Sequence, residues 1–505
     1  MKKIKIFSAV LASVLAVGTV MPFIGCGAAE NNVNTINISV VNKGYKTEWI
    51  TSLMTDFLAS DAKYSGYKFQ LYESYDDDTM KVTVESGANT CNYDLIFHGG
   101  NPTLIDDKYL ADISSVYNMS FKDKTLKDYM DESIVSSFVK GDKFTSIPWT
   151  QSISSVLINY GKVTEKLGAG WENTYKNRTT DEFMTFINAL KDNGVTPFVI
   201  TNDKNFYHVL YETWWAQYEG MSGVKDFFTA RYYDEIEGTY KEGPEAFRQE
   251  GRLKSVQTLA AIFSNESNYA KYNTALAMQT AYMEGKSAMI ANGDWMQIEQ
   301  GKKYSDVDMR FIKTPVISAL GTKLGITESK LIEIIDYVDG VTAKPADVTD
   351  AQIDKVTEAR KIVYSSVDYS CACIPEYSIK KDVALDFLKW MYSEAGQRKY
   401  VAAMNGLTLP INNSFKDDTS ITMSSFAKSA AALAENAVYL FPNRNWKYAK
   451  AGLQAFAARE KGVIEYLLTG KSGSEYTPEY ICDYDYQYYT KNNGNNWKDL
   501  QNRAR

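Results

Sequence analysis

Short apolar runs that stop at turn residues alternate with amphipathic helical stretches along most of the chain, and this rhythm dictates layers of helix on sheet. Asn37 to Val41 alternates apolar and polar residues like a strand, and Trp49 to Leu58 then carries helical spacing. Lys68 to Tyr72 reads as a second strand. Tyr93 to Phe97 reads as a third and closes in His98-Gly99-Gly100-Asn101-Pro102, a turn. Ligands of α/β folds collect at the carboxyl ends of strands, which makes the turn His98–Asn101 a candidate site.

The pattern continues. Thr145 to Trp149 is extended, because Pro148 pushes its predecessor out of the helical region. Ser155 to Tyr160 follows as a strand, and Thr179-Thr180-Asp181-Glu182 is a capping box ahead of Phe183, Phe186, Ile187 and Leu190 at helical spacing. Val195 to Thr201 is a strand, and Phe206 to Tyr218 an aromatic helix holding Tyr207, His208, Trp214 and Trp215. Ala288 to Ala291 is a buried strand whose Asn292-Gly293 turn presents Asp294 and Trp295. Helices are expected around Ala384–Met391 and over Ser424–Ala437, and Phe441–Trp446 is a turn before a helix reaching Leu468. Pro478 opens a last helix at its first turn. Leu331 to Glu358 is less regular, an excursion from one lobe.

The first residues bear on the compartment. Lys2, Lys3 and Lys5 precede a mostly apolar, uncharged run from Ile6 to Ile24, the layout of a secretory signal. Phe23-Ile24-Gly25-Cys26 resembles the bacterial lipobox, with Phe23 where leucine is usual. That resemblance implies a signal peptide over 1–25, acylated Cys26 as lipid anchor and a polar tether over 26–34. Acyl chains contribute roughly 0.8 kcal/mol per buried CH₂. The chain is thus expected on the extracytoplasmic face of the cell membrane.

Composition excludes several classes. A formal net charge of −7 lacks the basic footprint of a nucleic-acid binder. Two histidines, His98 and His208, make a zinc site or a Ser-His-Asp triad hard to assemble, and no phosphate-cradling loop or HExxH is present. Neither metal nor cofactor is expected. Cysteine is sparse, and Cys371 and Cys373, two apart on an expected strand, read as buried apolar residues. The outlier is aromatic content, with 36 tyrosines and 9 tryptophans whose flat faces and polar edges suit both cores and sugars.

Ordered motifs bring a family into view. Asp94–Phe97, Ile147-Pro148-Trp149 followed by Ile158-Asn159-Tyr160, Thr180–Gly194, Tyr282–Met289 with Gly293-Asp294-Trp295, and Tyr377–Trp390 with Gly406 and Pro410 all fall in sequence. In this order they resemble the solute-binding proteins of bacterial carbohydrate ABC importers, the group that contains maltose-binding protein. The resemblance implies a two-lobed α/β fold with a hinge and an interlobe cleft. Lobe one would take 35–147 and 316–407, and lobe two 148–315 and 408–505. It implies a monomer that captures a small solute, a carbohydrate, and delivers it to the importer's permease subunits without enzymatic change. Ser152 stands where some relatives carry a glutamate, so a maltose-like pocket is not implied. An anchored glycoside hydrolase would instead need two carboxylates at a set separation, and a sensor subunit would share the whole fold.

Sugars offer C–H faces to aromatic rings and hydroxyl edges to carboxylates and amides. Trp295 matches the family position that stacks on solute, and Trp446 a similar platform at a helix start. Trp149 follows the hinge proline and could floor the cleft, and Tyr207 lies on the aromatic helix. Asp294, Asn101, His98, Arg444 and Gln151 are the candidate hydroxyl partners. Each has a plainer alternative: core packing for the aromatics, turn or surface chemistry for the polar groups.

Overall fold

The computed structural model describes residues 34–74, 77–98, 105–201, 206–301, 303–413, 415, 418, 420–456 and 477–505. The expected signal, Cys26, Asn101 and most of the stretch leading to Leu468 lie outside them. The strands of the two main sheets are, in chain order, β1 (Thr35–Val41), β2 (Lys68–Ser74), β3 (Leu95–His98), β4 (Ser146–Pro148), β5 (Ile153–Asn159), β6 (Phe198–Thr201), β7 (Tyr269–Tyr272), β8 (Met289–Gly293), β9 (Met309–Ile312), β10 (Ile362–Ser365), β11 (Cys371–Cys373) and β12 (Val438–Leu440). The first sheet has the order β2-β1-β3-β11-β4. The second has the order β7-β6-β8-β5-β10-β12, with β9 also paired to β5.

These orders follow from burial. β5 is buried along its whole length, as a central strand covered on both faces must be, and it pairs antiparallel with β8, β9 and β10. β2, at the edge of the first sheet, keeps partly exposed side chains. One apolar core lies under the first sheet and continues past Ile153 to Leu157, Ile290 and Phe311 of the second. A second core, built on Phe183, Phe186, Trp214 and Trp215, fills the other side of the second sheet.

The chain passes between the two sheets three times, and the first two of these crossings run side by side. β4 runs into β5 through Trp149–Ser152, and β10 returns to β11 through Ser366–Ser370. Backbone bonds from Trp149 to Ser370 (2.8 Å) and from Ser366 to Ser152 (2.9 Å) lace them together.

The position of the return crossing corrects the expected lobe boundary. The span 316–365 belongs with the second sheet, because β10 pairs with β5 and β12 there. The supposed irregular excursion is two helices, Glu328–Val338 and Asp350–Lys361. Leu331, Ile334 and Ile335 bury one face of the first, and the Thr349–Gln352 capping box opens the second. At the expected Thr179 box only half forms: Thr179 accepts from the Glu182 amide (3.4 Å), but the Glu182 carboxylate takes the Arg178 amide instead (2.9 Å).

The C-terminal helix Pro478–Arg503 begins as expected, with Thr477 accepting from the Tyr480 amide at 3.2 Å and proline in the first turn. It is pinned to the second lobe by a fully buried ion pair between Arg252 and Asp485. The Arg252 guanidinium also lies 4.4 Å from the Phe456 ring.

Candidate functional site

The cleft follows from strand direction. β1, β2 and β3 run parallel, so their carboxyl ends share one edge of the first sheet. β6, β7 and β8 do the same in the second. The two edges meet where Trp295, just beyond β8, lies against Gly44, just beyond β1. A Cβ on Gly44 would stand 2.6 Å from Trp295 Cδ1, and one on Gly293 would stand 1.9 Å from Cζ3. Two glycines therefore make the slot that holds the indole. Trp295 stays half-buried, edge-on to Tyr45 (6.2 Å between centroids) and to Phe206 (5.5 Å).

Asp294 fastens this junction. Its buried carboxylate accepts a short hydrogen bond from the Tyr45 hydroxyl of the first lobe and another from the Ile153 amide at 3.2 Å. The Tyr45 hydroxyl lies 3.2 Å from Ser152 Oγ as well. Burial pushes the Asp294 carboxyl up to about 7, and the bonds from Tyr45 and Ile153 pull it back only in part. Asp294 thus ties lobe to lobe and has both oxygens engaged.

Beyond Phe206 the second lobe continues as an aromatic wall. His208 stands 6.2 Å from Phe206 and 5.1 Å from Tyr364 of β10, and Tyr369 of the return crossing is exposed beyond. Glu212, one helical turn after His208, keeps part of its surface in solvent and has no hydrogen-bond partner among the described residues. The surrounding protein nonetheless pushes its carboxyl up to about 8, against the pull of Arg252. Asp368 is pushed up to about 6 by burial, with Arg444 offsetting it.

Several expected site residues are structural. Trp149 is buried, stacks on Trp49 (4.7 Å, 14° between planes), and donates its indole N–H to the His98 carbonyl at 3.1 Å. It belongs to the hinge core and does not floor the cleft. Tyr207 is fully buried against Phe198 and Phe263 and donates to the Val199 carbonyl at 2.5 Å. Arg444 is buried too: it donates to the Asp368 carbonyl, lies 3.1 Å from Cys371 Sγ and packs 4.3 Å from the Phe138 ring. It braces the C-terminal part of the chain against the first lobe.

Trp446 is half-buried and stacks on Phe228 at 5.8 Å, so its face is spent within the second lobe. The Gln151 carbonyl accepts from Ser365 Oγ (2.7 Å), and the residue lines a cavity of 190 Å³ with Thr408 and Asn412. His98, at the end of β3, is buried and is the first-lobe candidate that sits at the carboxyl edge within the described residues. Tyr45, Phe206, His208, Tyr364 and Glu212 were not among the expected residues. The signal for Phe206 and His208 was their place just after a strand; Tyr45 and Tyr364 carried none.

A larger groove of 490 Å³ also lies between the lobes. Tyr45, Trp49 and Asn405 line it from the first, and Gln297, Tyr304 and Phe426 from the second. Trp295, Phe206 and His208 are not part of it.

Residues 53–425 match the family model described as bacterial extracellular solute-binding protein. The chain belongs to that family. Compared by sequence with curated proteins, it matches none. Among solved structures it is similar to a chitin oligosaccharide binding protein (TM-score 0.58, 14% identity, covering 91% of this chain and 99% of that one). It is also similar to the GacH receptor of Streptomyces glaucescens, solved unliganded and with acarbose (TM-score 0.57, 12% identity, 90% and 97% covered). The maltose-maltodextrin binding protein of Alicyclobacillus acidocaldarius is a third (TM-score 0.54, 13% identity, 90% and 100% covered). At these identities the likeness is one of fold, the two-lobed α/β architecture. No helix among the described residues is long and apolar enough to cross a membrane.

Proposed function

We propose that this chain is the solute-capturing subunit of a bacterial ABC importer, that its solute is a mono- or oligosaccharide, and that Cys26 anchors it by lipid to the extracytoplasmic face of the membrane. The observation that carries the reading is Trp295. A half-buried indole stands in a glycine slot where the carboxyl edges of two lobes meet, beside a wall made by Phe206, His208 and Tyr364. Such a surface offers flat faces to sugar C–H groups, and the Glu212 carboxyl offers a hydroxyl partner. The family's fold and the sugar binders that share it support the same reading.

In mechanism, the Trp149–Ser152 and Ser366–Ser370 crossings act as the hinge. Solute that touches both lobes favours the arrangement in which they close, by its differential affinity for that state. The importer reads that state, and the sugar leaves unchanged.

Calorimetric titration of the chain from Asn31 onward against a panel of mono- and oligosaccharides tests this. Binding at micromolar or tighter Kd, with no new reducing ends released, is expected. Silence across the panel would overturn the sugar assignment, and released reducing ends would overturn binding without catalysis.

A further inference from the structure

A two-stranded hairpin, Arg231–Asp234 paired with Thr239–Glu242, projects from the second lobe after the helix His208–Phe228. It takes no part in either core sheet or in the cleft wall. Nine large apolar or aromatic side chains are exposed among the described residues, and three of them fall within this hairpin: Tyr233 (53%), Ile236 (97%) and Tyr240 (53%). Single exposed apolar residues need no explanation, but three on one eight-residue loop form a patch.

The patch is built rigidly. Asp234 Oδ1 accepts from the amides of Ile236 (3.0 Å) and Glu237 (3.1 Å), which fixes the turn. Lys241 bridges Asp234 (2.8 Å) and Glu237 (2.6 Å) across the strands. The Tyr233 and Tyr240 rings meet edge to face at 5.2 Å, and the Arg231 guanidinium lies 3.6 Å over Tyr240. At the base, Lys447 holds Glu242 at 2.7 Å. The tip is therefore held in one shape while Ile236 remains bare to water, an arrangement with low ordering cost on association.

Chemistry selects the partner. The rings stand 69° apart, so they offer no common plane on which a glycan could stack. Residues 231–245 carry five acids (Asp234, Glu235, Glu237, Glu242, Glu245) against Arg231 and Lys241, a balance that disfavours anionic lipid and a second copy of the same acidic tip. What fits is a protein surface with an apolar socket rimmed by lysine or arginine. We infer that the hairpin, through Ile236 with Tyr233 and Tyr240, is the docking element by which the second lobe engages the extracytoplasmic surface of its importer. This rests on the importer reading above.

The test replaces the wild-type chain in its native cells with Ile236→Asp, Ile236→Leu or the double variant Tyr233→Ser/Tyr240→Ser. Two quantities are measured: the Kd of the purified variant for the sugar that titration identifies, and uptake of that sugar labelled. Ile236→Asp and the double variant are expected to keep Kd within twofold and lose at least tenfold in uptake, while Ile236→Leu keeps both. Normal Kd with normal uptake in Ile236→Asp would overturn the hairpin assignment alone. Uptake of that sugar left unchanged when the wild-type chain is deleted from its native cells would overturn the importer reading, and this inference with it. Ile236-dependent dimers in sedimentation, or Ile236-dependent pelleting with phosphatidylglycerol vesicles, would overturn the choice of partner.

Discussion

Gly44→Ala should weaken sugar binding although residue 44 lies on the opposite lobe from Trp295. The added methyl would stand 2.6, 2.7 and 2.8 Å from Trp295 Cδ1, Cγ and Cβ, all about 1 Å inside ordinary contact. The backbone at residue 44 is not in the left-handed region, so alanine fits it and the clash with the indole is the whole perturbation. Trp295 must leave its rotamer or the two edges must part. Overpacking of this kind costs roughly 1–3 kcal/mol. If that cost falls on the arrangement that holds solute, Kd rises about 5- to 150-fold. Calorimetry supplies Kd, and a thermal midpoint within a few degrees of wild type shows that the lobes themselves are intact. A Kd unchanged within twofold would refute the claim that Trp295 is positioned by the Gly44 slot for binding.

Trp295→Ala should raise Kd about tenfold or more, roughly 1.4 kcal/mol, with calorimetry as the readout. Asp294→Asn should flatten part of the pH dependence of stability. The folded carboxyl titrates near 7 instead of 3.8, so the folded state binds its proton more tightly than the unfolded chain does. Wild type therefore loses stability as pH rises from about 4 to about 7, on the order of 4 kcal/mol from this group. The asparagine variant should lack that increment when thermal midpoints at the two ends of the window are compared. Equal slopes would sink the assignment. Arg252→Ala leaves Asp485 buried without its partner and should cost about 3–5 kcal/mol in chemical denaturation, loosening the C-terminal helix first.

Most strands and helices of the two lobes were legible because their periods are local. The buried runs at β5 and β8 and the spacing of Phe183, Phe186, Ile187 and Leu190 need no knowledge of distant chain. The helix Asp350–Lys361 was missed although its capping box is local, since its interior is mostly polar and buries little beyond Val356, Ala359 and Arg360. The site was harder to read. Trp149, Tyr207 and Arg444 have the right chemistry for sugar, but tryptophan, tyrosine and arginine also brace cores by pairing an apolar body with a polar tip, and here they do. Tyr45 and Tyr364 enter only through contacts between segments about 150 to 250 residues apart, to which sequence spacing is blind.

The most direct measurement is a crystal structure of the chain saturated with the sugar that titration selects. A sugar ring is expected in van der Waals contact with the Trp295 indole, between the carboxyl edges of β1–β3 and β6–β8, with the Tyr45–Asp294 bond retained. A sugar bound instead in the 490 Å³ groove beside Trp49 and Tyr304, with Trp295 untouched, would contradict this expectation.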